Sequence, residues 1–231
     1  MINIDFTKLI PWIPSFIDGT IVTIVLSLTT VIIGSIIGLI TVLMKMSNSK
    51  ILNWIATIYV NVVRGTPMLL QLFIWLYAMP AIGISFPSID FLGVTYGSRE
   101  FITAVVALGI NSGGYISEIL RGGLESVVDG QIEAGRALGL SKGETMQSII
   151  LPQALRTVLP GLGNEFITMI KESSIVSTVG VFDVMYTSNI VQASTYSIFE
   201  PLIFVGVIYF VLTYSLNALM KYIEKRANVY A

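Results

Sequence analysis

Glu165 stands in an otherwise apolar stretch, Thr157 to Ile170, just behind Gly161, Gly163 and Asn164. A carboxylate in hydrocarbon-like surroundings is costly, and such a position is functional by default. Glu172 follows seven residues later, on the same helical face if the helix continues. Asn111, Tyr115 and Glu118 are spaced i, i+4 and i+7 in a second apolar stretch, which lines them up along one side of a helix. Gln71, in a third, is placed to join them. An amide, a phenol and a carboxylate in one stripe can hydrogen-bond an ammonium, a guanidinium or a side-chain amide. Ser173 and Ser174, with Ser177 and Thr178 beyond them, read either as the lining of a gate or as a plain loop. Each of the others has a plainer reading too. Glu118 lies three residues before Arg121 and can pair with it, Asn111 can join two helices, and Gln71 can face a neighbour.

The elements that must position these groups are long and apolar. Of 231 residues, 54% are hydrophobic and 12% charged, with a mean hydropathy of +0.82, where a soluble chain would be about a quarter charged. With neither cysteine nor histidine, disulfides, thiolate or imidazole metal sites and histidine triads are excluded. A net charge of -1 offers nothing to nucleic acid. No Gly-x4-Gly-Lys-[Ser/Thr] loop occurs, so the chain has no P-loop of its own. The pattern predicts an all-α integral membrane protein of about five transmembrane helices in a single domain, residues 1–231.

The predicted spans are 20–44, 67–83, 101–120, 157–170 and 198–219, with a polar segment at 121–156. Residues 1–19, broken by Pro11 and Pro14 and bearing Asp5 and Asp18, suit an interfacial segment rather than a cleavable signal, and the first span then acts as an uncleaved anchor. Residues 51–63 read as an interfacial or tilted helix stopped by Arg64-Gly65-Thr66-Pro67, since proline removes a backbone donor and disfavours helix before it. Residues 85–100 read as a loop, and 173–197 as a re-entrant or gating piece. Five crossings place Lys45, Lys50, Arg64, Arg121, Arg136, Lys142, Arg156, Lys221, Lys225 and Arg226 on one side, ten of 13 basic residues. That side is the cytoplasm by the positive-inside rule, with the amino terminus outside and the carboxyl terminus within.

The polar segment therefore faces the cytosol. Glu133, Ala134, Ala137 and Leu138 recur at i, i+1, i+4 and i+5, a narrow face of small and apolar groups flanked by charge. Ser141 with Glu144 three residues on is a capping box that starts a second helix after a turn at Gly139. Such a face suits docking into a groove on another protein. An amphipathic connector lying on the membrane surface is the alternative.

Glu133-Ala134-Gly135, then Gly139, then Ile149-Ile150-Leu151-Pro152 resembles the loop signature of the permease subunits of binding-protein-dependent ABC importers, with every spacing kept and Gly135 where the pattern prefers alanine. Arg64-Gly65-Thr66-Pro67-Met68-Leu69-Leu70-Gln71-Leu72-Phe73, Glu118-Ile119-Leu120-Arg121-Gly122-Gly123 and Lys171-Glu172-Ser173-Ser174-Ile175-Val176 are similar to segments of the polar amino acid branch (the histidine, glutamine and arginine type), and the likeness covers about residues 18 to 225. The resemblance implies the type I ABC permease fold with a cytosolic coupling helix formed by Glu133, Ala134, Gly135, Arg136, Ala137, Leu138, Gly139 and Leu140. It also implies a cytosolic ABC ATPase that binds the ATP and magnesium, an extracytoplasmic solute-binding protein, and the cytoplasmic membrane of a prokaryote. A dimer with an identical or related permease follows, because five helices enclose little space. Glu165, Asn111, Gln71, Glu118, Ser173 and Ser174 then become the substrate pathway for polar or charged amino acids carried by alternating access. Two alternatives stand beside this. One is a permease of the same kind for another small solute. The other is a secondary transporter coupled to protons through Glu165 or Glu118.

Overall fold

The computed structural model describes residues 4–89 and 93–228, and every regular element among them is helical. Asp5 caps a 3-10 helix at Phe6–Trp12 by accepting from the Thr7 N–H at 3.0 Å. Helix α1 runs on from it as Ile13–Met46. Pro11 and Pro14 do not break this segment, as the sequence suggested they would. Pro14 falls in the first turn of α1, where its missing N–H would have had no partner anyway.

Helix α2 is Lys50–Gly65 and α3 is Met68–Ala81, and the two meet at 108°. Gln71 holds that corner. Its Nε2 donates to the Val63 carbonyl at 2.8 Å and to the Thr66 hydroxyl at 2.8 Å, so carbonyls left open by Pro67 regain a donor. After a short turn at Gly93–Tyr96 comes α4, Arg99–Glu125, capped by Ser98. The turn lies within the expected loop at 85–100, of which residues 90–92 fall outside the described residues.

The segment 121–156, expected to be a loop around two short helices, is largely built into long ones. Helix α4 already extends to Glu125, α5 occupies Asp129–Ala137, and α6 runs from Lys142 to Val179. The helix holding residues 157–170 thus begins well before Thr157. It passes Pro152 because the backbone widens into a π turn at Met146–Ile150, two residues ahead of the proline. The same device precedes Pro80, where Ile74–Ala78 is π. A widened turn relieves the clash between a proline ring and the carbonyl four residues back.

Helix α6 closes as a 3-10 turn, Ser173–Val179, and bends by 48° into α7, Val184–Thr195. The stretch 173–197 is therefore mostly helical and not irregular. Helix α8, Phe199–Asn228, completes the chain. Among the described residues, three helical stretches are long and apolar enough to cross a membrane alone, and up to five crossings result if each bent pair counts as one.

The centre is the packing of α1 on α4. Gly34 and Gly38 on α1 receive Ser112 and Ile116 of α4, while Gly109 and Gly113 on α4 receive Ile33 and Ile37 of α1, so each Gly-x3-Gly pair packs under the side chains of the other helix. A Cβ on Gly34 would stand 2.9 Å from Ser112 Cβ and 3.2 Å from the Gly113 nitrogen. Without a hydrophobic drive between helices in lipid, such close backbone approach supplies the attraction. Leu26, Leu72, Leu108 and Val176 fill the adjoining core and tie α1, α3, α4 and α6 together.

Candidate functional site

Helix α4 links two polar pairs through consecutive residues. Asn111 Nδ2 donates to Gln71 Oε1 at 3.1 Å, and Ser112 Oγ donates to Glu165 Oε1 at 2.7 Å. Asn111, Ser112 and Glu165 are all buried. The predicted stripe of Asn111, Tyr115 and Glu118 is thus not one open surface. Asn111 is joined to the corner-holding Gln71, while Tyr115 lies under the Arg64 guanidinium, 5.4 Å from its ring centre.

Glu118 is a hub of cations. Its carboxylate meets Lys45 Nζ at 2.6 Å, Arg121 at 2.8 Å and Arg64 at 3.7 Å, so the ends of α1, α2 and α4 converge on one acid. Those three cations all belong to the side rich in lysine and arginine. Arg121, the partner the sequence offered, is one of three, and the other two came from helices far along the chain.

Ser173 is buried and donates to the Ile170 carbonyl at 2.8 Å, and Ser174 donates to Lys171 O at 2.9 Å. Both hydroxyls therefore serve the 3-10 turn. Ser174 also borders a cavity of about 550 Å³ between the start of α3 and the far end of α6. Lys171 and Glu172 line it, opposite Pro67, Met68 and Leu69. Neither makes an ion pair among the described residues, which leaves one cation and one anion turned to the same space.

The polar segment presents a different surface. Glu133, Ala134, Arg136, Ala137, Leu138 and Gly139 are exposed, and Leu138 is 84% so, an extreme value for a leucine. Gly139 adopts φ +86, the left-handed conformation that ends a helix at low cost in glycine. Ser141 and Glu144 form the capping box, Ser141 Oγ accepting from the Glu144 N–H at 3.3 Å and Glu144 Oε2 from the Ser141 N–H at 2.8 Å. Those bonds hold the Glu144 carboxyl below its ordinary range. Gly135 is buried where α5 sits on α6, and a Cβ there would come 2.7 Å from Ile149 Cδ1. Leu140 is half-buried beside it. Gln153 Nε2 donates to Gln131 Oε1 at 2.6 Å, a second tie from α6 to α5.

Residues 30–229 match the family described as binding-protein-dependent transport system inner membrane component. The chain belongs to this family. It is 40% identical to the arginine transport system permease protein ArtQ of Bacillus subtilis over 97% of each chain. It is 37% identical to a putative glutamine transport system permease protein GlnP of Rickettsia typhi, over 96% of this chain and 97% of that one. A crystal structure of an amino acid ABC transporter with histidines superposes with a TM-score of 0.89 at 40% identity, over 97% of this chain and 100% of the other. The MetNI methionine ABC transporter in an inward-facing form shares the fold, with a TM-score of 0.75 at 20% identity over 94% of this chain and 98% of the other.

Sequence reasoning missed two buried acids of this binding-protein-dependent permease, Asp183 and Glu200. Asp183 is fully buried, caps α7 by accepting from the Tyr186 N–H at 2.8 Å, and faces the Tyr209 hydroxyl of α8 at 3.5 Å. Thr23 of α1 accepts from the next N–H, Val184, at 3.2 Å. The bend after α6 is thereby fastened to α1 and α8. An acid directly after Gly180-Val181-Phe182 and ahead of a helical pattern is an N-cap signal that could have found it.

Proposed function

We propose that this chain is the membrane subunit of an ATP-driven importer for polar or positively charged amino acids. The observation that carries an amino acid as the solute is the cavity holding Lys171 and Glu172 side by side, and the polar or positively charged class rests on the relatives. A free amino acid is a zwitterion, and one ammonium and one carboxylate complement its two charges. The arginine and glutamine systems named among the relatives support the same class.

The energy enters through α5. Its exposed Glu133–Leu138 face is the docking surface for a cytosolic ABC ATPase, which binds the ATP and magnesium. Helix α5 rests on the first turns of α6 through Gly135 against Ile149 and Gln131 against Gln153. Helix α6 then runs unbroken to Lys171 and Glu172. A displacement of α5 is therefore delivered along one rigid element to the cavity, which is the coupling that alternating access requires. An extracytoplasmic solute-binding protein delivers the amino acid, and a second permease, identical or related, completes the pathway. The end bearing Lys45, Arg64 and Arg121 faces the cytoplasm, with the amino terminus on the opposite side.

Uptake into proteoliposomes containing the permease, its ATPase and its binding protein tests this reading. Labelled arginine, histidine and glutamine are offered in turn, against leucine. ATP-dependent accumulation of at least one polar amino acid is expected, with a raised half-saturating concentration in Glu172→Gln and Lys171→Ala. Equal uptake of leucine would refute the substrate class, and variants that transport as the parent does would refute the assignment of the cavity.

A further inference from the structure

A second cavity lies on the outside of the helices, away from the polar groups. Helices α1 and α8 diverge to leave a groove of about 370 Å³, walled by Ile13, Ile17 and Ile21 on one side and Phe204, Val207 and Val211 on the other. Its one hydroxyl, Thr20, donates back to the Phe16 carbonyl at 2.6 Å and so offers no polar contact to an occupant. Both walls belong to helices long and apolar enough to cross the bilayer by themselves. What meets such a groove in a membrane is hydrocarbon.

The groove is charged at one end only. Glu200 stands one turn before Phe204 on the same face of α8, buried, and accepts the Asp5 N–H at 2.9 Å. Lys8, exposed, donates to Ser197 Oγ at 3.2 Å and forms no ion pair among the described residues. Asp5, half-exposed, lies three residues before it. Asp5 and Lys8 are thus pinned to the start of α8, which places an ammonium and a carboxylate beyond the end of the slot where Ile13 and Phe204 lie, while no charged residue lines the slot itself.

From this juxtaposition we infer that the α1–α8 groove is a binding site for one membrane phospholipid. An acyl chain occupies the slot, the phosphate sits on Lys8, and an ammonium-bearing headgroup turns toward Asp5. A headgroup with both charges satisfies both rim residues, whereas a purely anionic one meets Lys8 alone and is repelled by Asp5. A bulky quaternary ammonium keeps the charge but has no N–H to donate. The preferred lipid is therefore one with a primary ammonium, as in phosphatidylethanolamine.

The test is native mass spectrometry of the assembled transporter, extracted from vesicles of phosphatidylethanolamine, phosphatidylglycerol and phosphatidylcholine in equal parts. Retention of phosphatidylethanolamine above the other two is expected through stepwise delipidation. Val207→Trp, which fills the groove from its exposed side, should abolish that retention, while Leu219→Trp, exposed on the same helix outside the groove, should not. Lys8→Ala should weaken retention about tenfold, the factor carried by a charge-assisted hydrogen bond of ordinary strength. Retention indifferent to Val207→Trp overturns the site, and a preference for phosphatidylglycerol overturns the role of Asp5. Because the chain has no cysteine, Val207→Cys can also be offered an oxidant, and a disulfide between two copies would assign the groove to a protein interface and refute the lipid.

Discussion

Ser112 and Glu165 face each other across α4 and α6 with no water-accessible surface to spare. A buried carboxylate that loses its donor bears its full desolvation cost, so Ser112→Ala should destabilise the permease by about 1–3 kcal/mol. Glu165→Gln keeps an acceptor for Ser112 and should cost less. Thermal unfolding of the two variants in the same detergent orders them, and a Ser112→Ala variant as stable as the parent would show that the hydrogen bond contributes nothing. That Glu165 is special was legible from its apolar setting. That its partner is Ser112 was not, because a serine beside Asn111 carries no mark of which helix it will meet. Gln71 illustrates the same limit. Its place among apolar residues was visible in the chain, but its use as the clasp of a 108° corner depends on where α2 stops.

Among the elements, α5 and the start of α6 show where local sequence suffices. The capping box at Ser141 and Glu144 forms as its spacing predicts. Ser141→Ala should cost about 1 kcal/mol of local helix stability, seen as faster amide exchange in the first turn of α6. The Glu144 carboxyl is held down by the bonds from Ser141. Because its folded value lies below its unfolded one, its contribution is complete above the ordinary carboxylate range and is lost as pH falls through the lowered value. The protection factors in that turn, which divide out the intrinsic pH dependence of exchange, should therefore fall on acidification in the parent and stay level in Glu144→Gln. The extent of α6 was not legible in the same way. Pro152 and a polar composition argue for an end to helix, but a π turn absorbs the proline and α5 covers the first turns. The Gly-x3-Gly spacings at 34/38 and 109/113 went unread in the sequence, and spacing alone does not say which two helices pack there. Gly34→Val should cost about 1–3 kcal/mol, since the new side chain meets Ser112 Cβ and the Gly113 backbone, neither of which can swing aside. It should also disturb the Ser112–Glu165 pair, so Gly34→Val and Ser112→Ala combined should lose less than their sum in a double-mutant cycle.

At the scale of the whole molecule, the docking face can be separated from the fold. Leu138 is almost fully exposed, so Leu138→Asp should leave thermal stability within about 0.5 kcal/mol of the parent. The same change should strip the ATPase from the permease during purification in mild detergent. A stable variant that still holds its ATPase would move the docking surface elsewhere. The sequence by itself determined that the chain is helical, lies in a membrane, needs an external energy source and carries the loop signature of its family. Hydropathy, charge bias and motif spacing are local properties, and local properties survive in one dimension. Only the tertiary structure decided that Glu118 is neutralised by cations from three helices, that Asp183 fastens a bend, and that Lys171 and Glu172 open onto one cavity. Those outcomes rest on which helices pack together, and a polar side chain takes its role from the partner that packing brings within reach.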